Sequence, residues 1–468
     1  MTETRHYDLA ILGSGSAAFA TAIEARRKEA SVVMIERGTV GGTCVNFGCI
    51  PSKALLAAAE ARHIALDQRF PGITTGGEGV NMAELIAGKD AIVNLLRREK
   101  YEELATLYGF DILNGHARFV SGPAVDVNGE RIEATHYVVA TGASPWVPPI
   151  PGLSESGYLT STTAMELSSV PRSLIVIGGN AIGLEQGQLF ARLGSTVTIV
   201  EVLQRIAPFE EPEISEALTA IFASENITVR SGSSIEKVAR DEEGVVVLLN
   251  STSGHEELRA ETVLVATGRR PNTAGLDLDM VGVEVGPRGE ILVSEELRTT
   301  NPRIFAAGDV TGHKQFVYVA GKHGNVVADN AIGGEHRRID YRTLPRVTFT
   351  SPAVASVGMT DEEANQVGLA CECRVLPLTQ VPRAIVNRDT RGVVKIVAER
   401  GSGRLLGIHM LADGAGDAIL AAVYALEAGF SVERLADIWT PYLTMAEAIK
   451  LTAQSFTRDV TTLSCCAS

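Results

Sequence analysis

The chain opens with alternating apolar and polar stretches that predict a strand, a helix and a second strand. Residues 7–12 are an apolar run, a turn rich in small residues follows, and the next stretch keeps a helical pattern through Arg27. Val32–Ile35 is apolar again and ends at the acidic Glu36. This order of elements predicts a βαβ unit with a parallel sheet.

The turn of this unit, GSGSAA, has the spacing of a dinucleotide-binding turn. Gly13 is expected to make the tight turn, Gly15 to let a pyrophosphate lie on the helix N-terminus, and Ala18 to permit close packing of the helix on the strand. Glu36 follows Gly13 by 23 positions, where a carboxylate accepts hydrogen bonds from ribose hydroxyls. The pattern therefore predicts a first dinucleotide site.

The same pattern recurs later and makes the chain an internal repeat. Gly178 and Gly183 bound the second turn, and Glu201 again lies 23 positions after the first glycine. Asn180 stands where the middle glycine is expected, and we expect it to tolerate the left-handed dihedral angles there. The repeat predicts a strand at 174–177, a turn at 178–183, a helix at 184–193 and a strand at 197–200.

Two dinucleotides in one chain imply electron transfer between them. Glu201 favours NADH, because a carboxylate accepts hydrogen bonds from a ribose and repels a 2′-phosphate, although Arg205 is expected to compensate in part. The alternative is that Glu201 is only a solvated strand end.

Further phrases mark where the chain leaves each unit. Two apolar runs close on Ala140-Thr141-Gly142 and Ala266-Thr267-Gly268, and the run PRIFAAGD ends on Asp309, which is expected to bond a hydroxyl of the first dinucleotide. A helix is expected at 318–330. Beyond Tyr341 the pattern predicts an α+β unit with an interface role, with strands at 346–349, 393–397 and 405–410 and helices at 415–428, 432–438 and 444–456.

The stretch GGTCVNFGCIPSK is expected to be a redox dithiol of Cys44 and Cys49. A helix that begins near Cys44 would place its positive end beside the sulfurs and favour thiolate. Gly48 and Pro51 favour the departure from ideal helix that a disulfide between the two requires. Two buried cysteines that act as small hydrophobes are the alternative, and a zinc site would need further ligands nearby.

Two other cysteine pairs occur. Cys371 and Cys373 are interpreted as incidental thiols at a strand entry. Cys465 and Cys466 are adjacent near the end of the chain, where an exposed pair oxidises or binds soft metals, so a functional role is expected.

Length and charge narrow the class of protein. The 468 residues suit about three domains, and the net charge of −14 argues against a nucleic-acid partner. The chain has no run of 18 apolar residues, and its first strand begins too early for a signal segment, so we expect no membrane span and a cytoplasmic location.

Taken together, GSGSAA, GGTCVNFGCIPSK, ATGASP, GGNAIGLE, ATGRRPN and AAGD resemble the flavin-dependent pyridine nucleotide-disulfide oxidoreductases, the family of glutathione reductase and dihydrolipoyl dehydrogenase. The resemblance implies an α/β fold with two Rossmann-like dinucleotide-binding domains, plus a C-terminal α+β dimerisation domain. It implies a homodimer with active sites at the subunit interface. The implied domains are FAD-binding at 1–150 and 273–340, NAD(P)-binding at 151–272, and dimerisation with a dithiol tail at 341–468.

The resemblance also implies FAD and NAD(P)H as cofactors, with Cys49 facing the flavin and Cys44 as the outer interchange thiol. Lys53 and Glu185 match the ion pair of the family beside flavin and nicotinamide. The implied cofactor-binding residues are Gly13, Gly15, Ala18, Glu36, Gly42, Thr43, Lys53, Thr141, Gly142, Gly178, Gly183, Glu201, Gly268 and Asp309.

One departure narrows the choice within the family. Disulfide-reducing members carry a His-Pro dipeptide with a Glu five residues after the His, and here Tyr442 occupies the His position, with Glu447 in place. A phenol with a pKa near 10 protonates a leaving thiolate poorly at neutral pH, whereas a soft metal ion that accepts two electrons needs no such proton.

Tyr442, the phrase VPRAIVNRDTRG, the terminal cysteines and Tyr101 together resemble the family members that reduce mercuric ion. The resemblance implies Hg(II)-thiol complexes as substrate and a metal path through Cys465 and Cys466, then Cys44 and Cys49. The alternatives are a thioredoxin reductase-like enzyme, a dihydrolipoyl dehydrogenase, or a mercury-sequestering protein without turnover.

Overall fold

The computed structural model describes residues 5–77, 79–252 and 254–463, which form two compact units. The first unit contains residues 5–54, Ala83–Trp146 and Gly268–Asp340. The second contains Leu55–Met82, Val147–Thr267 and residues 341–463. Within the described ranges, no helix has both the length and the apolar character needed to cross a membrane.

A seven-stranded sheet forms the centre of the first unit. Its inner strands are parallel, and their apolar stretches at 9–12, 32–35 and 137–139 are buried, as expected of strands covered on both faces. The strands lie in the spatial order Asp111–Asn114, Val32–Glu36, Arg5–Leu12, Glu130–Val139, Ala124–Val127 and Ala117–Val120, with Ile304–Ala306 also paired to Glu130–Val139. Ala124–Val127 is antiparallel to both of its neighbours, Glu130–Val139 and Ala117–Val120.

Helices of the first unit cover this sheet. Ser16–Arg27 and Val317–Ala331 pack against each other, with Gly324 so close to Ser16–Arg27 that an added Cβ would lie 2.4 Å from the Ala17 carbonyl oxygen. A small antiparallel ribbon pairs Ala143–Pro145 with Arg269–Pro271. The remaining helices in this part of the chain are Gly42–Asn46, Cys49–Asp67, Met82–Arg97 and Glu103–Tyr108.

The second unit repeats the parallel architecture. Its five parallel strands lie in the order Thr228–Arg230, Thr196–Val200, Ser173–Ile177, Thr262–Val265 and Leu159–Thr160. The helices that accompany them are Leu153–Ser156, Ala181–Leu193 and Pro212–Ser224. An antiparallel sheet of Ser233–Asp241, Gly244–Ser251 and Gly254–Ala260 completes this part.

The C-terminal part of the second unit is an antiparallel sheet with helices. The strand Leu405–Ala412 is buried along its whole length at the centre of this sheet. The strands lie in the order Arg346–Thr348, Ala353–Gly358, Leu405–Ala412, Val393–Glu399 and Cys371–Pro377. The helices are Asp361–Gln366, Pro382–Val386, Ala415–Glu427, Val432–Asp437 and Glu447–Gln454.

The predicted fold class is confirmed, since two sheets with parallel inner strands precede an α+β part. The predicted helix at 184–193 begins earlier, at Ala181, and the helix expected at 444–456 is limited to Glu447–Gln454. The periodicity missed the strand Ala353–Gly358, whose short apolar run has no alternation. The proposed domain boundaries at 150, 272 and 340 stay predictions.

Candidate functional site

The first turn brings two strand ends together at one glycine. Gly13 has φ +105°, and a Cβ there would lie 2.4 Å from the Ala140 carbonyl oxygen. Only glycine fits both the left-handed backbone and this approach. The prediction that Gly13 makes a tight turn is therefore supported by its geometry.

Gly42 brings the cysteine segment onto the same turn. It has φ +64°, and a Cβ there would lie 2.6 Å from the Gly15 Cα atom. Ser14 accepts a hydrogen bond from the Gly41 N–H at 3.2 Å and donates one to Glu36 Oε2 at 2.6 Å. Ser14, which the sequence patterns did not identify, thus links the turn, the acidic strand end and the cysteine segment.

The first turn fits a dinucleotide. The helix Ser16–Arg27 has no acidic residue in its first turn, and in the described structure no side chain caps its N-terminus at Gly15. Its first N–H groups and its dipole therefore face the turn, where a pyrophosphate binds. Ala18 is fully buried against the sheet and permits this close packing. FAD fits this cradle, with Glu36 at the strand end.

The cysteine segment contains a break between two helices. Cys44 lies within Gly42–Asn46, Phe47 leaves the helical region with φ −136°, and Cys49 begins Cys49–Asp67. Asn46 donates hydrogen bonds to the Val40 and Gly42 carbonyls, both at 2.9 Å, and so closes the short helix on its own start. The expected departure from ideal helix is therefore observed.

Cys44 and Cys49 are present as a dithiol rather than a disulfide. The Cys44 thiol donates a hydrogen bond to the Cys49 sulfur, and this bond, burial and repulsion from a Cys49 thiolate raise the pKa of Cys44, while Lys53 acts in the opposite direction. The expectation of a thiolate is thus wrong for Cys44, because the hydrogen bond to the Cys49 sulfur and burial raise its pKa.

Tyr101 lies beside this dithiol on an unusual backbone. It belongs to the π-helical segment Arg98–Glu102, a geometry common at functional sites. Its ring contacts Phe19 edge-on at 4.8 Å between centroids, and its hydroxyl hydrogen-bonds Ser16. Burial raises the pKa of Tyr101, the hydrogen bond with Ser16 opposes this, and the electrostatic influence of Cys44 and Cys49 raises the pKa further, so the phenol stays neutral beside the two sulfurs.

Arg269 joins the predicted acid to the cysteine segment. Its Nε lies 3.9 Å from Asp309 Oδ2, and its Nη2 lies 3.4 Å from Thr43 Oγ1. Burial lowers the pKa of Arg269, and attraction to Asp309 and Cys49 opposes this. Burial likewise raises the pKa of Asp309 against the pull of Arg269. The sequence reasoning missed Arg269, although it directly follows the glycine of ATGRRPN.

His323 supports the turn that carries Asp309. Its Nδ1 accepts a hydrogen bond from the Gly308 N–H at 3.1 Å, and burial lowers the pKa of His323 to about 4, so the ring is neutral. The side chain is fully buried. No sequence pattern identified this residue.

Within the first unit, the backbone after Val139 is bonded to the segment that starts at Gly268. Asn272 donates its side-chain amide to the Thr141 carbonyl at 2.9 Å, and its backbone N–H donates to the Gly142 carbonyl at 2.9 Å. Gly268 accepts a hydrogen bond from the Trp146 N–H. Thr141 and Gly142 thus lie between the strand Glu130–Val139 and the ribbon strand Ala143–Pro145, and Gly268 directly precedes the other ribbon strand, Arg269–Pro271.

The second turn has the same shape as the first. Gly178 has φ +111°, and a Cβ there would lie 2.5 Å from the Ala266 carbonyl oxygen. A Cβ on Gly183 would lie 1.9 Å from the Gly178 carbonyl oxygen, so that helix and strand meet without side chains. Asn180 is extended, with φ −111° and ψ −175°, so the expectation of left-handed angles there is wrong. The position tolerates Asn because its backbone needs no glycine.

Glu201 ends the second strand as predicted. Its Oε2 accepts from the Gly179 N–H at 2.7 Å and its Oε1 from the Leu203 N–H at 2.9 Å, while only 7% of the residue is exposed. It is therefore not merely a solvated strand end. Arg205 donates to the Pro208 and Glu210 carbonyls, so its guanidinium is engaged within its own loop. NAD(P)H fits this turn, whose helix begins without a side-chain cap or an acidic first turn.

The other predicted catalytic residues are distant from the cysteine segment in sequence. Glu185 is buried and accepts a hydrogen bond from the Phe349 N–H at 2.9 Å. Tyr442 is 45% exposed, and burial raises the pKa of Glu447, which accepts from the Leu443 N–H at 3.3 Å. The pairing of Lys53 with Glu185 stays a prediction. Cys465 and Cys466 lie outside the described residues.

Comparison with known proteins gives two family matches. Residues 7–324 match the pyridine nucleotide-disulphide oxidoreductase family, and residues 344–453 match its dimerisation domain. The second match supports a homodimer.

Individual relatives are similar over nearly the whole chain. The chain is 56% identical over 467 residues to a mercuric reductase of Streptomyces lividans, covering 98% of each protein. It is 47% identical to a mercuric reductase of Lysinibacillus sphaericus, covering 99% of this chain and 85% of that protein. Among solved structures, the HOCl-induced flavoprotein disulfide reductase RclA of Escherichia coli superposes with a TM-score of 0.86 at 31% identity, covering 97% of this chain and all of that one.

Proposed function

The chain belongs to the pyridine nucleotide-disulphide oxidoreductase family, and from this premise we propose that it reduces Hg(II) to Hg(0) with electrons from NAD(P)H, as a mercury-detoxifying enzyme. The observation that carries the proposal is the hydrogen-bonded dithiol of Cys44 and Cys49, closed onto a turn that fits FAD. The similarity to two mercuric reductases over nearly the whole chain supports the same reaction.

The dithiol is the proposed binding site for the ion. Hg(II) arrives as a complex with two thiolates, and Cys44 and Cys49 displace these thiols and release them with the protein's protons. Lys53 opposes the raised pKa of Cys44 and so favours the loss of the proton that this exchange requires. When bound, FAD would accept a hydride from NAD(P)H and supply two electrons to the ion. Neutral Hg(0) binds thiolates weakly and leaves the pair.

The aromatic residues favour a metal ion over a disulfide as substrate. Reduction of an organic disulfide needs a proton donor near neutral pH, and Tyr442 stands where disulfide-reducing members carry His. Tyr101 is neutral beside the sulfurs, where its oxygen suits a weak contact with the ion. We assign both tyrosines to the mercury pocket, with Tyr442 and Glu447 contributed by the partner subunit at the interface.

The terminal cysteines are the proposed entry point. Cys465 and Cys466 of one subunit would take Hg(II) from small thiols and pass it to Cys44 and Cys49 of the other, with the ion held by two sulfurs throughout. The proposed location is the cytoplasm, where thiols stay reduced and NAD(P)H is supplied.

The second turn favours NADH as the electron donor. The buried Glu201 carboxylate would repel a 2′-phosphate, and Arg205 already binds two carbonyls of its own loop. This preference for NADH rests on the residues of the second turn alone.

The proposed function is tested by oxidation of NADH and NADPH by the purified, FAD-loaded protein. Acceptors are HgCl₂ with excess monothiol, and lipoamide, oxidised glutathione and thioredoxin at equal concentration. We expect turnover that requires Hg(II) and falls to background with each disulfide. Turnover with a disulfide and none with Hg(II) would overturn the proposal in favour of a disulfide reductase. Hg(II) binding without nicotinamide oxidation would instead indicate a sequestering protein.

A further inference from the structure

A second pair of thiols lies in the C-terminal part of the second unit. Cys371 and Cys373 are alternate residues of the edge strand Cys371–Pro377, so their side chains share one face. They pair across the sheet with Glu399 and Val397 and are half-buried. The sequence patterns favoured incidental thiols, but their surroundings indicate more.

The two sulfurs are neighbours beside a small apolar cluster, and the Cys371 thiol also lies 3.9 Å from the Asp361 carbonyl oxygen and from Asn365 Oδ1. The Cys373 thiol hydrogen-bonds Cys371, and burial, with the charges of Cys371 and Asp361, raises the pKa of Cys373 to about 12 while Lys395 opposes this. Both cysteines and Met359 pack against the same small cluster of Ala364, Val397 and Leu406. The two cysteine side chains thus lie on one face of the sheet edge, and the Met359 side chain packs on the same cluster.

A disulfide does not suit this pair. Residues two apart on a strand have Cα atoms about 6.7 Å apart, which is at the far end of the disulfide range and well above its commonest value of about 5.5–6 Å. The cysteines are indeed not bonded to each other. A metal ion between the sulfurs lengthens the bridge and removes this restriction.

The ligand count selects the class of metal. In the described ranges, no three or more His, Cys, Asp or Glu side chains are grouped to hold a metal ion. A four-coordinate zinc site is therefore not formed here. Two thiolates with a nearby thioether suit a soft cation of low coordination number, of the kind represented by Hg(II) and Cu(I).

We propose that Cys371 and Cys373 form a second soft-metal site, separate from the redox dithiol, that holds Hg(II) or Cu(I) by thiol exchange without reducing it. The two cysteine thiols replace two thiolates on the incoming ion, and two free thiols leave with the two protons. No electrons are transferred and the oxidation state of the ion is unchanged.

The test removes all other cysteines from the FAD-loaded full chain. In a variant with Cys44→Ser, Cys49→Ser, Cys465→Ser and Cys466→Ser, equilibrium dialysis against HgCl₂ buffered by a monothiol should give about one Hg(II) per chain. Adding Cys371→Ser and Cys373→Ser should reduce this to background. Glu372→Gln, on the opposite face of the strand, is the matched control and should leave binding unchanged. FAD absorbance and far-UV circular dichroism check that each variant folds.

Several outcomes decide the matter. The proposal would be overturned if the variant that retains only Cys371 and Cys373 bound no Hg(II). It would also be overturned if binding survived the loss of these two cysteines. The same dialysis with Cu(I) shows whether the site takes both ions or Hg(II) alone. Because the readout is binding by a variant without the redox dithiol, failure here leaves the proposed reduction of Hg(II) untouched.

Discussion

The two nucleotide-type turns of this chain have the same backbone at their first glycine and differ at their centre. Gly13 and Gly178 have φ +105° and +111°, and each faces an alanine carbonyl so closely that a Cβ would lie 2.4 or 2.5 Å from its oxygen. Both strand-end carboxylates accept one hydrogen bond from a backbone N–H two residues onward, at Gly38 and at Leu203.

The two turns differ in the contacts at their middle position, which is Gly15 in the first turn and Asn180 in the second. Gly15 and Asn180 are both extended, with φ −78° and −111°, so neither position needs glycine for its own dihedral angles. In the first turn, however, Gly42 of the cysteine segment lies against Gly15, and Ser14 ties the turn to Gly41. The comparison teaches that the first turn serves two partners, a dinucleotide and the dithiol segment, whereas the second serves a dinucleotide.

The largest expected effect is that of Gly13→Ala. The left-handed backbone alone costs a residue with a Cβ about 1–2 kcal/mol, and the approach to Ala140 forces the strand ends apart. We expect the FAD content of the purified protein to fall by about tenfold or more, since 1.4 kcal/mol is a factor of ten in binding. Gly129→Ala is the control, because Gly129 has φ +88° with open space around it. Normal FAD content in Gly13→Ala would contradict the assignment of the first turn.

Gly178→Ala is expected to give the next largest effect, and on a different quantity. The same clash occurs, with Ala266, so the KM for the nicotinamide should rise about tenfold while FAD content stays normal. Steady-state kinetics and flavin absorbance on one preparation separate the two. Gly194→Ala, at φ +119° in open space, controls for the dihedral cost alone. If Gly178→Ala lost FAD instead, the two turns would have been assigned in the wrong order.

Glu201→Gln should change selectivity rather than fold. Glutamine keeps an oxygen that accepts from a backbone N–H but carries no charge to repel a 2′-phosphate. We expect the ratio of kcat/KM for NADH over NADPH to exceed one in the natural protein and to fall about tenfold in the variant. Glu36→Gln, the equivalent change in the first turn, should leave this ratio as it is. A natural preference for NADPH would contradict the interpretation of Glu201.

Asn180→Gly should have the smallest effect. Because Asn180 is already extended, glycine relieves no strain, and the KM for the nicotinamide should stay within about twofold. In the reciprocal change Gly15→Asn, the new Cβ would lie 3.9 Å from the Gly42 Cα, an ordinary contact. Its side chain would instead enter the space at the helix N-terminus where the pyrophosphate binds, and we expect lower FAD content. Equal effects of the two changes would remove the difference between the turns.

These comparisons indicate what the sequence alone could predict. The positions of Gly13, Gly178, Glu36 and Glu201 follow from local spacing, because strand, turn and helix are consecutive in the chain. The cysteine pair was recognisable for the same reason.

The residues missed are those whose partners are distant in sequence. Arg269 reaches Thr43 and Asp309, and His323 supports Gly308, and such contacts are set by the fold rather than by spacing. The thiolate expected at Cys44 was wrong because a helix dipole was weighed without the neighbouring sulfur, which dominates its pKa. Electrostatic balances of this kind require the positions of all nearby charges.

The central claim is that electrons from the nicotinamide reach Hg(II) held by Cys44 and Cys49. The most direct measurement is Hg(0) vapour released per nicotinamide oxidised, in the FAD-loaded natural protein and in its Cys49→Ser variant. Since both half-reactions transfer two electrons, we predict about one Hg(0) per NAD(P)H in the natural protein and release at background in the variant, with FAD content unchanged. Nicotinamide oxidation without Hg(0), or equal release by the variant, would contradict the account.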